Sequence, residues 1–272
     1  MDKTVAKAFK LLELLTHSGK PMGVTELANA AGLGKSNAHR LLQTLLELGY
    51  VKPSKDGSYE PTLRLWEMGH RVLRRLSLRD VARPYMIELS EITSETVHLS
   101  SLDGIEVLYI DKIDSSEPVR AYTQIGARAP AYCTATGKAI IAYLSEPEIA
   151  KCISKAHQFT PKTITNFEKF CVETRVIQSR RFAINVGEWR ADIVGAASAV
   201  LDSSGEIVGA IGISGPASRL TKRGLVSIAP KIVLAAERIS FSLGCSEDDW
   251  EMLGQTTVAP RRKAKNKHVS NR

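Results

Sequence analysis

Residues 32–69 read GLGKSNAHRLLQTLLELGYVKPSKDGSYEPTLRLWEMG, and the hydrophobic period changes twice inside that stretch. In its first part Ala38, Leu41, Leu42, Leu45 and Leu48 recur at the i, i+3, i+4, i+7 spacing, which predicts a helix with one face in a core and a stop at Gly49. The opposite face carries Ser36, His39, Arg40, Gln43 and Glu47, with Lys35 and Asn37 flanking the first turn. All of these except Glu47 donate hydrogen bonds to phosphate or to base edges: arginine matches guanine bidentately, and asparagine or glutamine matches adenine. A solvated helix face is the plain alternative.

Upstream, Val5, Phe9, Leu12 and Leu15/Thr16 space a first helix that Gly19 and Pro21 close. A second helix is expected from Thr25, read as its N-cap and counted with the candidate DNA contacts, to Gly32. Two short helices joined through GLGKS predict a helix-turn-helix, whose second helix offers its N-terminal side chains to the major groove. Downstream, YVKPS and SYEP flank KDG, and Asp-Gly is a strong hairpin signal. A hairpin directly behind a reading helix is the wing of a winged helix, and Lys52 and Lys55 fall along it or at its tip, within reach of phosphate. Past Pro61 a helical stripe of Leu65, Met68, Val72 and Leu76 returns, with Arg64, Arg71, Arg74, Arg75 and Arg79 off it. That pattern predicts a connecting helix used for dimerisation, so that two reading helices address a roughly palindromic operator.

The charge distribution agrees. Lys and Arg number 13 against 8 Asp and Glu in residues 1–80, 18 against 21 in 81–254, and 6 against 0 in 255–272, so +5, −3 and +6 compose the net +8. The basic ends fit a polyanion partner and the acidic middle does not. The length of 272 residues favours two modest domains. No apolar run approaches the ~18 residues that span a bilayer, so a cytosolic protein without a membrane partner is expected. Cys133, Cys152, Cys171 and Cys245 lie far apart with no CxxC pair, which argues for reduced thiols rather than zinc or disulfides.

In the middle of the chain a helix is expected over Leu78 to Ile92, tolerating Pro84 near its first turn. TVHLSSL, IEVLYIDKI, VRAYTQIG, RFAI, IVGAASAVLD and EIVGAIGISG read as strands, with turns at DG and SSG, before a last helix from Lys222 to Leu243 introduced by Thr221. The order predicts an α+β fold with an antiparallel sheet covered by helices. Between the strands, Thr134 to Gly137 feed an apolar helix, KAIIAYL. Free amides at that N-terminus are able to hold a carboxylate; equally, Thr134 or Thr136 simply caps the helix.

Enzymatic motifs fail on inspection. TATGKA is no phosphate-binding loop, because Ala139 follows Gly137-Lys138 and no glycine stands five positions before Gly137. GISGP is no nucleophile elbow, because Pro216 occupies the final glycine position. The six histidines show no HExxH spacing, and His98 and Cys133 as a metal pair compete with a satisfied core histidine. No catalytic residue, metal or cofactor is expected.

Taken together, VTELANAAGLGKSNAHRLLQTLLELGYV, DGSYEPTLRLWEMG, ARPYMIELSEITSETVHLSSLDGIEVLYIDKI, CTATGKAIIAYL and VLDSSGEIVGAIGISGPASRLT resemble the IclR family of bacterial transcriptional regulators, in family order over most of residues 4–243. The resemblance implies an N-terminal winged helix-turn-helix (residues 1–62), a linker helix for dimerisation (63–80) and a GAF-like effector-binding domain (81–255); residues 256–272 lie beyond the family's usual end, and their composition reads as a basic disordered tail. It implies a homodimer or dimer of dimers on double-stranded DNA, controlling a catabolic operon in response to a small organic, aromatic or sugar acid. By position, the family's ligand amides fall on Ala135 and Thr136, flanked by Thr134 and Gly137, and the pocket's polar loop falls on Asn185 to Arg190. Two departures bear on the ligand: many members carry an acidic residue at the position of Asn185 and a cysteine at that of Gly195. Within GEWR, Glu188 adds a carboxylate, Arg190 is suited to pair with an acid and Trp189 to stack on a ring, against the alternative of a surface loop facing water. Two other classes stay open, an enzyme carrying a DNA-targeting module and a DNA-binding protein insensitive to ligand.

Overall fold

The computed structural model describes residues 3–73 and 77–254, and side chains there except those of 70–73. Val72 and Leu76 of the expected linker stripe, Arg71, Arg74 and Arg75, and the tail 256–272 therefore lie outside the described side chains. The chain divides into two compact units, Met1–Arg75 and Leu76–Arg272.

In the first unit α1 (Lys3–Ser18), α2 (Val24–Ala31) and α3 (Lys35–Glu47) precede a hairpin of β1 (Val51–Pro53) and β2 (Tyr59–Pro61), followed by α4 (Leu63–Leu73). Leu11, Leu12, Leu15, Leu27, Leu41, Leu42, Leu45, Val51 and Tyr59 form one apolar core. Gly32 ends α2 in the left-handed region at φ 68°, where a side chain is disfavoured. Two expectations are corrected here. Thr25 is not the N-cap of α2: Gly23 holds that position, and Thr25 sits inside the first turn. Leu48 caps α3 and is 50% exposed, since the helix ends one residue too early to carry it into the core. Val5 and Phe9 are exposed, because α1 turns its Leu11, Leu12 and Leu15 face inward.

The second unit is built on a six-stranded antiparallel sheet in the order β5-β4-β3-β8-β7-β6. Its strands are β3 (Thr96–Asp103), β4 (Glu106–Ile113), β5 (Arg128–Pro130), β6 (Ala183–Val186), β7 (Ile193–Leu201) and β8 (Ile207–Pro216). The helices are α5 (Leu78–Thr93), α6 (Ala135–Ile141), α7 (Glu146–Ile153), α8 (Phe167–Arg180), α9 (Lys222–Ser242) and α10 (Glu247–Leu253). One core joins the sheet to α5 and α9 through Met86, Leu89, Ile211, Ile232 and Ile239. Another joins it to the helices around α6 and α8 through Ile141, Phe170, Ile177 and Ala197. Both sheet faces are covered, so β7 is buried along almost its whole length and reads as a continuous apolar run.

VRAYTQIG does not form the expected strand. Residues 119–126 are irregular, and the edge of β4 is taken instead by β5, with Tyr109 N–H donating to the Ala127 carbonyl just before it. Pro84 lies well inside α5 rather than near its first turn, and the helix continues past it. Thr221 caps α9 as its sequence suggests, accepting from Gly224 N–H at 3.1 Å.

Candidate nucleic-acid interface and ligand cavity

In the first unit, α3 buries Ala38, Leu41, Leu42 and Leu45 and turns Lys35, Ser36, His39 and Arg40 outward, with Asn37 and Gln43 half-buried. Four cationic or polar side chains thus stand exposed on the two N-terminal turns of the second helix of a helix-turn-helix, where major-groove contact is made. The hairpin behind α3 turns at Asp56-Gly57; Gly57 has φ 80°. Asp56 Oδ1 accepts from Ser58 N–H (3.0 Å) and hydroxyl (2.5 Å), and these hydrogen bonds hold its carboxyl below the usual carboxylate range. Lys55 is exposed at this tip. Lys52, also exposed, already pairs with Glu60 across the hairpin at 3.0 Å, so a phosphate has to compete with that carboxylate for it. Gln43 is likewise engaged, donating from Nε2 to Tyr59 Oη at 3.1 Å.

In the second unit a cavity of about 50 Å³ opens where α6 starts, between the β6–β7 loop and the irregular segment 119–126. Seven of the nine expected ligand residues line it: Thr134, Ala135, Thr136, Asn185, Trp189, Arg190 and Gly195. Thr134 caps α6, its hydroxyl accepting from Gly137 N–H at 3.3 Å and its carbonyl from Lys138 N–H at 2.9 Å. The amides of Ala135 and Thr136 are thereby left without a partner among the described residues. Asn185 Oδ1 accepts from Glu188 N–H at 2.8 Å, so its amide nitrogen is the group left to the cavity. The Arg190 guanidinium is exposed and stacks 4.7 Å over the Trp189 ring. Burial pushes the Tyr109 phenol up to about 12 against the opposing charge of this guanidinium.

Gly137 and Glu188 are not part of the lining. A Cβ at Gly137 would run into the Ala131 backbone, so the glycine is there for close packing, and its N–H is used by the Thr134 cap. Glu188 turns away to the buried Lys138 ammonium, 2.6 Å off, which also meets Glu173 at 3.0 Å. Burial raises the Glu188 pKa against the pull of Lys138. The Glu188 carbonyl accepts from the Thr163 hydroxyl at 2.5 Å, and that of Gly187 from the Thr160 hydroxyl at 2.8 Å. The loop that carries Trp189 and Arg190 is therefore pinned from behind by an ion cluster and two threonines.

The residues missed by sequence reasoning come from the sheet and the 119–126 segment: His98, Tyr109, Thr123 and Ser214 also line the cavity. His98 Nε2 lies 2.6 Å from Ser214 Oγ and Nδ1 3.3 Å from Thr123 Oγ1. Burial, assisted by the charge of Lys112, lowers its pKa to about 4, so the wall presents a neutral imidazole. Both ring nitrogens being engaged, it is a satisfied histidine, and no cluster among the described residues has the composition of a metal site. A larger groove of about 760 Å³ is lined by Glu146, Glu148 and Glu206 against the single cation Arg175, a balance that repels an acid. No helix among the described residues is long and apolar enough to cross a membrane.

Two family models match the chain: the IclR helix-turn-helix domain over residues 4–54 and the bacterial transcriptional regulator IclR C-terminal domain over residues 70–241. The HTH-type transcriptional regulator KdgR of Escherichia coli K12 is 32% identical over 244 residues, which is 89% of this chain and 92% of that protein. The solved structure of the Thermotoga maritima IclR aligns with a TM-score of 0.59 at 32% identity, covering 90% of this chain and all of that one. The Agobacterium tumefaciens repressor BlcR shares the fold with a TM-score of 0.81 at 24% identity, over 91% of this chain and 99% of that one.

Proposed function

The chain belongs to the IclR family of bacterial transcriptional regulators, a DNA-binding regulator and not an enzyme, and from that premise we propose that it reads an operator through α3 and changes its affinity when a short-chain organic acid enters the cavity at the start of α6. The observation that carries the sensor half is the convergence of the unpartnered Ala135 and Thr136 amides with the Asn185 amide and the Arg190 guanidinium around one small space. Unsatisfied amides at a helix start and a nearby guanidinium favour an anion. A space of about 50 Å³ holds only a few waters, far below the ~300 Å³ or more of a site for a larger ligand, which favours a short-chain over an aromatic or sugar acid.

The regulator acts as a homodimer or dimer of dimers in the bacterial cytoplasm, at the nucleoid when bound, on a catabolic operon whose product or substrate is that acid. Leu63, Trp66 and Met68 on α4 and Val5 and Phe9 on α1 are exposed apolar side chains, and a twofold partner would cover them. Lys35, Ser36, Asn37, His39 and Arg40 contact bases and phosphates; Thr25, Lys52 and Lys55 contact phosphate. Residues 1–62, 63–80 and 81–255 serve as reader, linker and sensor.

Arg40→Ala and Lys55→Ala separate reading from positioning. Arg40→Ala should cost about 1–3 kcal/mol and relax preference at one operator position, whereas Lys55→Ala should weaken binding to all sequences alike. Titrations on the operator and its single-base variants decide the matter; an Arg40→Ala protein with unchanged affinity and unchanged base preference removes α3 from the groove.

A further inference from the structure

Tyr59 is buried on the inner side of the hairpin and is not exposed to DNA. Its backbone is fixed on two sides, pairing with Pro53 across the hairpin and exchanging hydrogen bonds with Met22 at 2.9 and 3.0 Å. Its hydroxyl reaches α3, where it accepts from Gln43 Nε2 at 3.1 Å. The same nitrogen lies 3.5 Å from His39 Nε2, one helical turn earlier on the outward face. Of the two, His39 is exposed and Gln43 half-buried.

We propose that Tyr59 is a positioning residue for base reading: it holds the Gln43 amide nitrogen inward, so that Gln43 presents only its Oε1 acceptor to DNA and reads bases that carry a major-groove amino group. The inference rests on α3 being the reading helix. A primary amide has two N–H donors and one carbonyl. Matching adenine bidentately requires one N–H on N7 and the carbonyl on the N6 amino group. Here one N–H is given to Tyr59 Oη and the other faces His39 Nε2, so none remains for N7. The remaining lone pairs of Oε1 accept from the N6 amino group of adenine or the N4 amino group of cytosine, while guanine and thymine present no donor at that edge. Gln43 therefore separates A and C from G and T without separating A from C.

The test uses the full-length protein. Selection from a random-sequence duplex library defines the preferred operator, and affinities for all four bases at each position are then measured for wild type, Gln43→Ala, Arg40→Ala and Tyr59→Phe. The expected result is one position where wild type favours A and C over G and T, and where Gln43→Ala loses that preference. At that position Tyr59→Phe, which releases the amide nitrogen, should favour A over C by roughly ten-fold, within the range of a bidentate base contact. A hydroxyl that serves only folding would change affinity for every base in the same ratio. Two results overturn the proposal: a Gln43-dependent preference for G or T, or a Tyr59→Phe protein whose base ratios match wild type while those of Gln43→Ala do not. Should neither Gln43→Ala nor Arg40→Ala alter any base preference, α3 is not the reader, and this inference falls with that premise.

Discussion

Replacing Lys138 by methionine removes one charge from the cluster behind the cavity while keeping a long apolar side chain. Lys138 is 1% exposed and Glu188 6% exposed, and Glu188 Oε2 has no hydrogen-bond partner among the described residues even with the lysine in place. Loss of the ammonium leaves the Glu188 carboxylate buried and unpaired, which typically costs about 3–5 kcal/mol. Protonation relieves that cost at low pH: burial already holds the Glu188 pKa above the ordinary glutamate value of 4.5 with the lysine in place, and removing the ammonium raises it further. The folded state then holds a proton that the unfolded chain releases, so stability falls as pH rises above that ordinary value. The deficit of Lys138→Met should therefore be about 3–5 kcal/mol near neutral pH and shrink as pH falls. Glu173 retains Arg180 at 3.8 Å and is partly exposed, so it contributes little. Urea unfolding at a series of pH values measures this, and the Lys138→Met/Glu188→Gln double variant should recover most of the loss. A deficit below about 1 kcal/mol near neutrality, or one that does not change with pH, would refute the reasoning.

Three further outcomes are expected. His98, whose pKa is depressed to about 4 from 6.5, favours folding fully above the higher value and loses that contribution, about 3 kcal/mol, as pH falls through the lower one; His98→Gln should remove that component from the pH dependence of unfolding. A Cβ at Gly195 meets the Ile213 carbonyl, so Gly195→Cys should destabilise by about 1–3 kcal/mol in thermal unfolding. If the six Lys and Arg after residue 254 touch phosphates, deleting residues 256–272 should flatten the salt dependence of log K by up to about 0.9 per lost contact; an unchanged slope in binding titrations makes the tail a bystander.

The helix-turn-helix and wing were legible because their signals are local. Glycines at Gly32 and Gly49 end helices by their own backbone freedom, Asp56-Gly57 turns the hairpin, and Thr221 caps the helix that follows it. What remained hidden depends on distant partners. His98 and Ser214 meet because β3 pairs with β8, a register that neither strand states alone. Glu188 belongs to Lys138 rather than to the cavity for the same reason: the ammonium comes from α6, fifty residues earlier. VRAYTQIG has strand-like composition, but β4 pairs with the three residues that begin at Arg128. The short helix α10, whose Trp250 is buried against α9, has only seven residues, too few to show an apolar period.

In the function proposed for this chain, an acid bound beside Trp189 governs operator affinity. Trp66 is 63% exposed and Trp250 2% exposed, so Trp66→Phe removes one background signal while Trp250 stays as a buried constant. In that background, short-chain hydroxy and keto acids are titrated while emission is followed, and operator affinity is measured with and without the same acid. Linkage requires both effects together, since a ligand that binds the DNA-competent and DNA-incompetent states equally shifts nothing. The expected result is a saturable change in emission that Trp189→Phe abolishes, an operator affinity altered at the same acid concentration, and loss of both in Thr136→Pro, which lacks the amide donor. An acid that alters operator affinity yet leaves Trp189 emission unchanged and binds Thr136→Pro as well as wild type would contradict it.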